Sequence, residues 1–160
     1  MKKRIWLLLL IVLASILLTG CALQTVDEMY ALPKRSKEYD SLQSAIDSAM
    51  YGLSYSAPVS GENQQTVQMA DLDGDGVEEY IVFAQGNSAN PLQVLIFRQE
   101  EDGTCRLMEV IQSNGSAFEQ VEYVQMDNAP GYELVVGRQL SDQVLRSVSV
   151  YSFSSGSAEQ

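Results

Sequence analysis

The segment D-L-D-G-D-G-V-E-E at residues 71–79 returns in worn form fifty-four residues later. That offset carries Asp73 onto Asp127, Glu79 onto Glu133, and Ile81-Val82 onto Val135-Val136 without a gap. Further along, Val94 meets Val148, Ile96 meets Val150 and Phe97 meets Tyr151. Val-Gln-Met also occurs twice, at 67–69 and 124–126. A loop and the apolar run beyond it keep one register, so the chain is expected to use one supersecondary unit twice, over 54–110 and 111–160.

The period within each unit is that of strands. Runs at 66–69, 80–83, 92–97, 107–111, 121–126, 133–136 and 147–153 alternate or are rich in β-branched and aromatic residues, with Gly, Asn and Asp between them. Upstream the pattern changes: Leu42, Ile46, Ala49, Met50 and Leu53 recur at three- and four-residue steps, and Gly52 stands where a C-cap is expected. These patterns predict a mainly β fold: two antiparallel β repeats, blade-like or paired as a small sandwich, over 54–160. One amphipathic helix over 38–53 precedes them.

The first loop carries the chemistry. Asp71, Asp73, Asp75 and Glu79 place carboxylates at positions 1, 3, 5 and 9 of a turn made by Gly74 and Gly76. Four anions so close repel one another unless a cation lies between them, and Ca²⁺, which takes 6–8 oxygen ligands, suits the spacing. An EF-hand is excluded, because it needs a bidentate Glu at position 12 and a helix beyond. Here position 12 is Val82, inside a strand-like run.

The pattern D-x-D-x-D-G-x-x-E followed by an apolar strand resembles the FG-GAP and VCBS repeats of integrin-like β-propellers. That resemblance implies a loop joining two strands of a blade and holding one Ca²⁺ in a structural role. Asp71, Asp73 and Asp75 would give side-chain oxygens, Val77 its backbone carbonyl, and Glu79 the closing carboxylate. Two features depart from the family. Its closing acid is usually Asp, so Glu79 reaches one methylene further. Propellers close with four to eight blades, whereas two repeats leave a sandwich, an assembly of chains, or a piece of a longer product. In the second loop Gln125, Asp127, Ala129 and Glu133 replace the four acids, with Pro130 at a glycine position. Two carboxylates are too few, and a structural turn without metal is expected at Asp127 and Glu133.

The first residues read as an address. Lys2, Lys3 and Arg4 precede a run from Ile5 to Leu18 that is apolar apart from Ser15. The run is shorter than the roughly 18–20 residues that span a bilayer, and it describes a secretory signal peptide over 1–20. Leu18-Thr19-Gly20-Cys21 resembles the lipobox of bacterial lipoprotein precursors, which implies cleavage before Cys21 and acylation of its thiol. A tether over 21–37 would follow, and the protein would sit on a bacterial cell membrane, lipid-anchored and facing outside the cytoplasm. Cleavage leaves seven basic residues against twenty-one acidic ones, a formal charge of −14. Such acidity disfavours nucleic acid and anionic membrane surfaces as direct partners, so the anchor would be the lipid alone.

Catalytic templates lack their parts. The chain has no His, and Cys105 is the one thiol left beside Cys21, so neither a Ser–His nor a Cys–His pair can form. No carboxylate pair is singled out for glycoside hydrolysis. The expectation is therefore a binding or scaffold module, not an enzyme, with a protein or glycan partner in the cell envelope. Self-association is a further expectation, since two repeats leave strand edges that invite pairing. The alternatives are an accessory subunit that completes its fold with an envelope partner, and a cell-envelope hydrolase.

Overall fold

The computed structural model describes residues 36–140, 145–154 and 157–159, together with Trp6. The chain divides into two compact units, Met1–Lys34 and Arg35–Gln160. Of the first, Trp6 alone is described, helical and exposed. Cys21, the expected signal peptide over 1–20 and nearly all of the expected tether lie outside the described residues. Among the described residues, no helix is long and apolar enough to cross a membrane.

Helix α1 spans Lys37–Ala49. Ser36 caps it, its side chain accepting a hydrogen bond from the Tyr39 N–H at 3.2 Å, and Glu38 and Asp40 in the first turn complement the positive end of the helix dipole. The helix stops at Met50, whose N–H reaches the Ile46 carbonyl at 2.8 Å. It therefore ends earlier than the expected residue 53. Gly52 takes up a positive φ of 77° in the turn that follows, not in the helix itself, and the Leu53 N–H closes that turn on the Met50 carbonyl.

Nine strands follow: β1 Ser54–Tyr55, β2 Val67–Ala70, β3 Glu79–Gln85, β4 Leu92–Gln99, β5 Cys105–Ser113, β6 Ala117–Val124, β7 Glu133–Gln139, β8 Arg146–Ser154 and β9 Ser157–Glu159. The first sheet has the order β1-β3-β4-β5, with β2 also pairing β3; the second has the order β6-β7-β8-β9. Every pairing is antiparallel. The fold is mainly β with one helix, as the sequence predicts. Strand β5 continues to Ser113, past the expected repeat boundary at 110/111. The expected boundary fell inside a continuous ladder with β4, whose register runs on to the Leu92–Ser113 pair.

The correspondence between the repeats is clearest at their central strands. Moved by fifty-four residues, the limits of β3 fall on Glu133 and Gln139, the limits of β7. The two sheets nevertheless have different surroundings. The first has a neighbour on both faces: Val82, Ala84, Leu95 and Phe97 pack under Ile46 of α1, while Ile81, Phe83, Val94 and Ile96 face the second sheet. Strands β3 and β4 are accordingly buried almost without interruption, whereas β7 alternates between buried and part-exposed residues. Leu134, Val136 and Tyr151 supply the second sheet's side of the core. Phe83 meets Phe118 edge-to-face across the layers, with ring centroids 5.1 Å apart, a favoured aromatic geometry.

The stacking has one sense. Val82, Leu95 and Phe97 face the helix, and their equivalents Val136, Ser149 and Tyr151 lie on the side of the second sheet that faces the first. Opposite faces of the two repeats therefore meet, and α1 covers the other face of the first. The edge of β6 is also covered: Val59 and Ser60 donate backbone hydrogen bonds to the Phe118 and Glu119 carbonyls at 3.1 and 2.8 Å, and the Asn63 amide reaches the Val121 carbonyl at 3.0 Å.

Candidate cation site

The loop between β2 and β3 is wound by its own carboxylates. Asp71 accepts from the Gly74 N–H at 2.7 Å and, through its other oxygen, from the Gly76 N–H at 3.0 Å. Asp73 accepts from the Asp75 N–H at 3.3 Å and Asp75 from the Val77 N–H at 2.8 Å. Alternating Asp residues each close a short Asx turn two residues on. Gly74 and Gly76 supply the positive φ values, 75° and 87°, that these turns require. Glu79 ties the loop's end to its start, its Oε2 accepting the Leu72 N–H at 3.0 Å.

Three of the expected ligands converge. Asp71, Asp73 and Glu79 each present a carboxylate oxygen, all within 4.8 Å of one another. Asp75 lies outside this group, with half of its attention on the Val77 N–H and its side chain 44 % exposed. The Val77 side chain is exposed, which suits a residue expected to contribute only its backbone carbonyl.

One residue that sequence reasoning missed completes the site. Arg98, at the end of β4, donates from Nε and Nη2 to Glu79 Oε1 at 3.0 and 2.8 Å, and from Nη2 to Asp73. Asp75 Oδ2 lies 3.7 Å from the same nitrogen. The β3–β4 ladder explains the placement: Tyr80 pairs with Phe97, and one step further Glu79 stands opposite Arg98. Burial pushes the Glu79 carboxyl above its ordinary value, against the opposing pull of the Leu72 N–H and the Arg98 guanidinium. Hydrogen bonds to Asp73 and then Glu79 bind the Arg98 proton more firmly than water does.

The donor set fits a small hard cation, with one condition. An ionised carboxylate has about four lone-pair sites, so Asp71 can ligate while accepting two backbone N–H bonds. Glu79 Oε1 and Asp73, however, are the atoms that Arg98 holds. A bound Ca²⁺ and the guanidinium would compete for them.

The second loop keeps the frame and loses two of the four acids. Glu133 Oε2 accepts the Met126 N–H at 2.8 Å, and Asp127 accepts the Ala129 N–H at 2.6 Å. Both repeat bonds of the first loop at the same offset. Gln125 and Ala129 stand for Asp71 and Asp75, and Ser152 stands where the first repeat has Arg98, so two of the four acids and the arginine are absent while Asp127 and Glu133 remain. The two loops pack directly: the Tyr132 N–H donates to the Asp71 carbonyl at 3.0 Å, and a Cβ on Gly74 would lie 2.3 Å from the Pro130 carbonyl carbon.

Burial pushes the Cys105 thiol up, which suits a structural cysteine and not a nucleophile. Burial likewise raises the Tyr123 phenol, whose hydroxyl donates to Gln68 Oε1 at 2.7 Å across the layers. No family model, characterised protein or solved structure matches this chain.

Proposed function

We propose that the chain is a lipid-anchored, extracytoplasmic β-repeat module that binds or scaffolds a protein or glycan partner of the cell envelope. Its first loop is braced by a cation, which Arg98 supplies from within and Ca²⁺ replaces where that ion is abundant. The observation that carries the loop reading is the convergence of Asp71, Asp73 and Glu79 around one cationic group. A binding role is also supported by how these acids are engaged. Each is held by backbone N–H groups, by Arg98, or by both, which leaves no free carboxylate pair there for acid–base work. The address at the chain start supports the location, with Cys21 as the lipid attachment point.

Calorimetric titration with CaCl₂ tests the ion exchange. The wild-type chain should take up one Ca²⁺ with Kd of about 10⁻⁴–10⁻³ M, the range of extracellular modules. Arg98→Gln removes the competitor and should bind about tenfold tighter. Absence of heat in both proteins would dismiss calcium and leave the arginine as the loop's only brace. Cys21→Ala should move the protein out of the membrane fraction, and a variant that stays cleaved and membrane-bound would end the lipoprotein reading.

A further inference from the structure

Arg138, on β7, carries a positive charge that no carboxylate answers among the described residues. It is 7 % exposed, and its four hydrogen bonds all go to neutral oxygens. Nη1 donates to the main-chain carbonyl and to Oδ1 of Asn114, each at 3.2 Å. Nη2 donates to the hydroxyls of Ser147 and Ser149 at 3.2 and 2.9 Å. Nε has no partner among the described residues. A buried charge without a counter-ion is costly. The first repeat has no such group, since Ala84 stands at this position. Asn114 itself is exposed, in the connection from β5 to β6, and Gly115 follows it. Packing holds that next residue to glycine: its φ is 135°, and a Cβ there would lie 2.9 Å from both the Gln139 carbonyl oxygen and Leu92 Cδ1. Asparagine before glycine is open to attack by the next backbone nitrogen, because no side chain shields that nitrogen.

We propose that Asn114 is a self-modification site: Arg138 promotes conversion of its amide to a carboxylate, which then serves as the missing counter-ion. The Gly115 nitrogen gives its proton to water and bonds to Asn114 Cγ, while the carbonyl electron pair moves onto Oδ1. Oδ1 is an atom to which Arg138 Nη1 donates, so the developing negative charge forms against a guanidinium. The pair then returns, the Cγ–Nδ2 bond breaks, and ammonia leaves with a proton from water. A succinimide remains, whose two carbonyl oxygens are those that Nη1 contacts before the reaction. Water adds to either carbonyl carbon, the C–N bond there breaks, and the nitrogen regains a proton. In sum, water is taken up, ammonium is released and a carboxylate is gained. That carboxylate belongs to the side chain or, in the isoaspartyl product, to the main chain. Either one replaces a neutral oxygen beside Arg138 with a charged one, and a charge-assisted pair is stronger than the neutral bond it replaces.

The inference goes beyond the function proposed above, and neither the ion nor the lipid anchor enters into it. The test holds the full chain in detergent at mildly alkaline pH and follows residue 114 by peptide mass mapping, which reads the mass gained when an amide becomes an acid. A parallel sample in urea gives the rate set by the Asn-Gly pair alone. Residue 114 should react at least as fast in the folded chain as in urea. Arg138→Gln should slow the folded reaction by about tenfold or more and leave the rate in urea unchanged. Equal folded rates in wild type and Arg138→Gln would overturn the proposal, as would a folded wild-type chain that reacts more slowly than the chain in urea. Asn114→Asp tests the product whether or not Arg138→Gln folds. It should melt above wild type at neutral pH. The pairing holds the folded-state carboxyl below its unfolded value, so the gain should be lost as pH falls through the carboxylate range. A melting temperature at or below that of wild type would overturn the counter-ion role and the proposal with it.

Discussion

Glu79 and Glu133, fifty-four residues apart, make the same hydrogen bond: each carboxylate accepts the backbone N–H seven residues earlier, Leu72 at 3.0 Å and Met126 at 2.8 Å. The closing acid of this loop is therefore first a structural clasp. In the second repeat, where Arg98 has become Ser152 and two aspartates are gone, the clasp persists without the rest of the site. The cation-related part of the first loop is an addition to a frame that stands without it.

This division can be separated by substitution. Glu133→Gln keeps a carbonyl oxygen for the Met126 N–H, whereas Glu133→Ala leaves that donor unpaired in a part-buried setting. Chemical denaturation should show Ala costing about 1–3 kcal/mol and Gln much less. Neither should alter the response of melting temperature to CaCl₂. A calcium effect that vanished in Glu133→Ala would place the ion in the second loop.

Arg98 is the loop's internal counter-ion. Arg98→Ala leaves Asp73 and Glu79, with side chains only 6 % and 4 % exposed, without their cation. Breaking a buried pair on one side costs about 3–5 kcal/mol, and Arg98 is itself 21 % exposed, so about 2 kcal/mol is expected here. Calcium should restore part of it. At 1 mM ion against Kd of about 10⁻⁴ M, mass action returns about 1.4 kcal/mol. Equal melting curves for Arg98→Ala with and without calcium would contradict the exchange.

The packing of loop on loop has its own signature. Gly74 and Gly76 both have positive φ, so either Gly→Ala change carries backbone strain of roughly 1 kcal/mol. A Cβ at position 76 meets nothing within 4 Å, while one at position 74 would lie 2.3 Å from Pro130 and 2.6 Å from the Gly131 nitrogen. Gly74→Ala should therefore destabilise by clearly more than Gly76→Ala in thermal unfolding. Equal losses would mean that the two loops are not packed as described.

What the sequence displayed, and what it hid, follows from range. Seven strands were legible because alternation and β-branched runs are local signals. Strands β1 and β9, of two and three residues, carry too few positions to show a period. The acids of the first loop were legible because they lie within nine residues. Arg98 was not, because only the register of the β3–β4 hairpin brings position 98 opposite position 79. The sense of stacking was hidden for the same reason. That Ile81 faces a sheet while its equivalent Val135 faces outward depends on which side of the first sheet α1 occupies.

The last expectation concerns pH. Burial raises the Glu79 carboxyl above its ordinary 4.5, and the Leu72 N–H and Arg98 restrain that rise. A folded-state value above the unfolded one means that the folded chain holds more protons between the two. Stability from this group is then full below about 4.5 and is lost as pH climbs through the folded value. Removing Arg98 takes away one restraint and leaves burial unopposed on that side. In Arg98→Gln the Glu79 midpoint, followed by carboxyl-carbon NMR, should move further up than in wild type. The variant should also be closest to wild-type stability in acid and fall behind it as the pH approaches neutral. A midpoint unchanged or lowered by Arg98→Gln would show that the guanidinium does not act on Glu79, and the loop's counter-ion would have to be sought elsewhere.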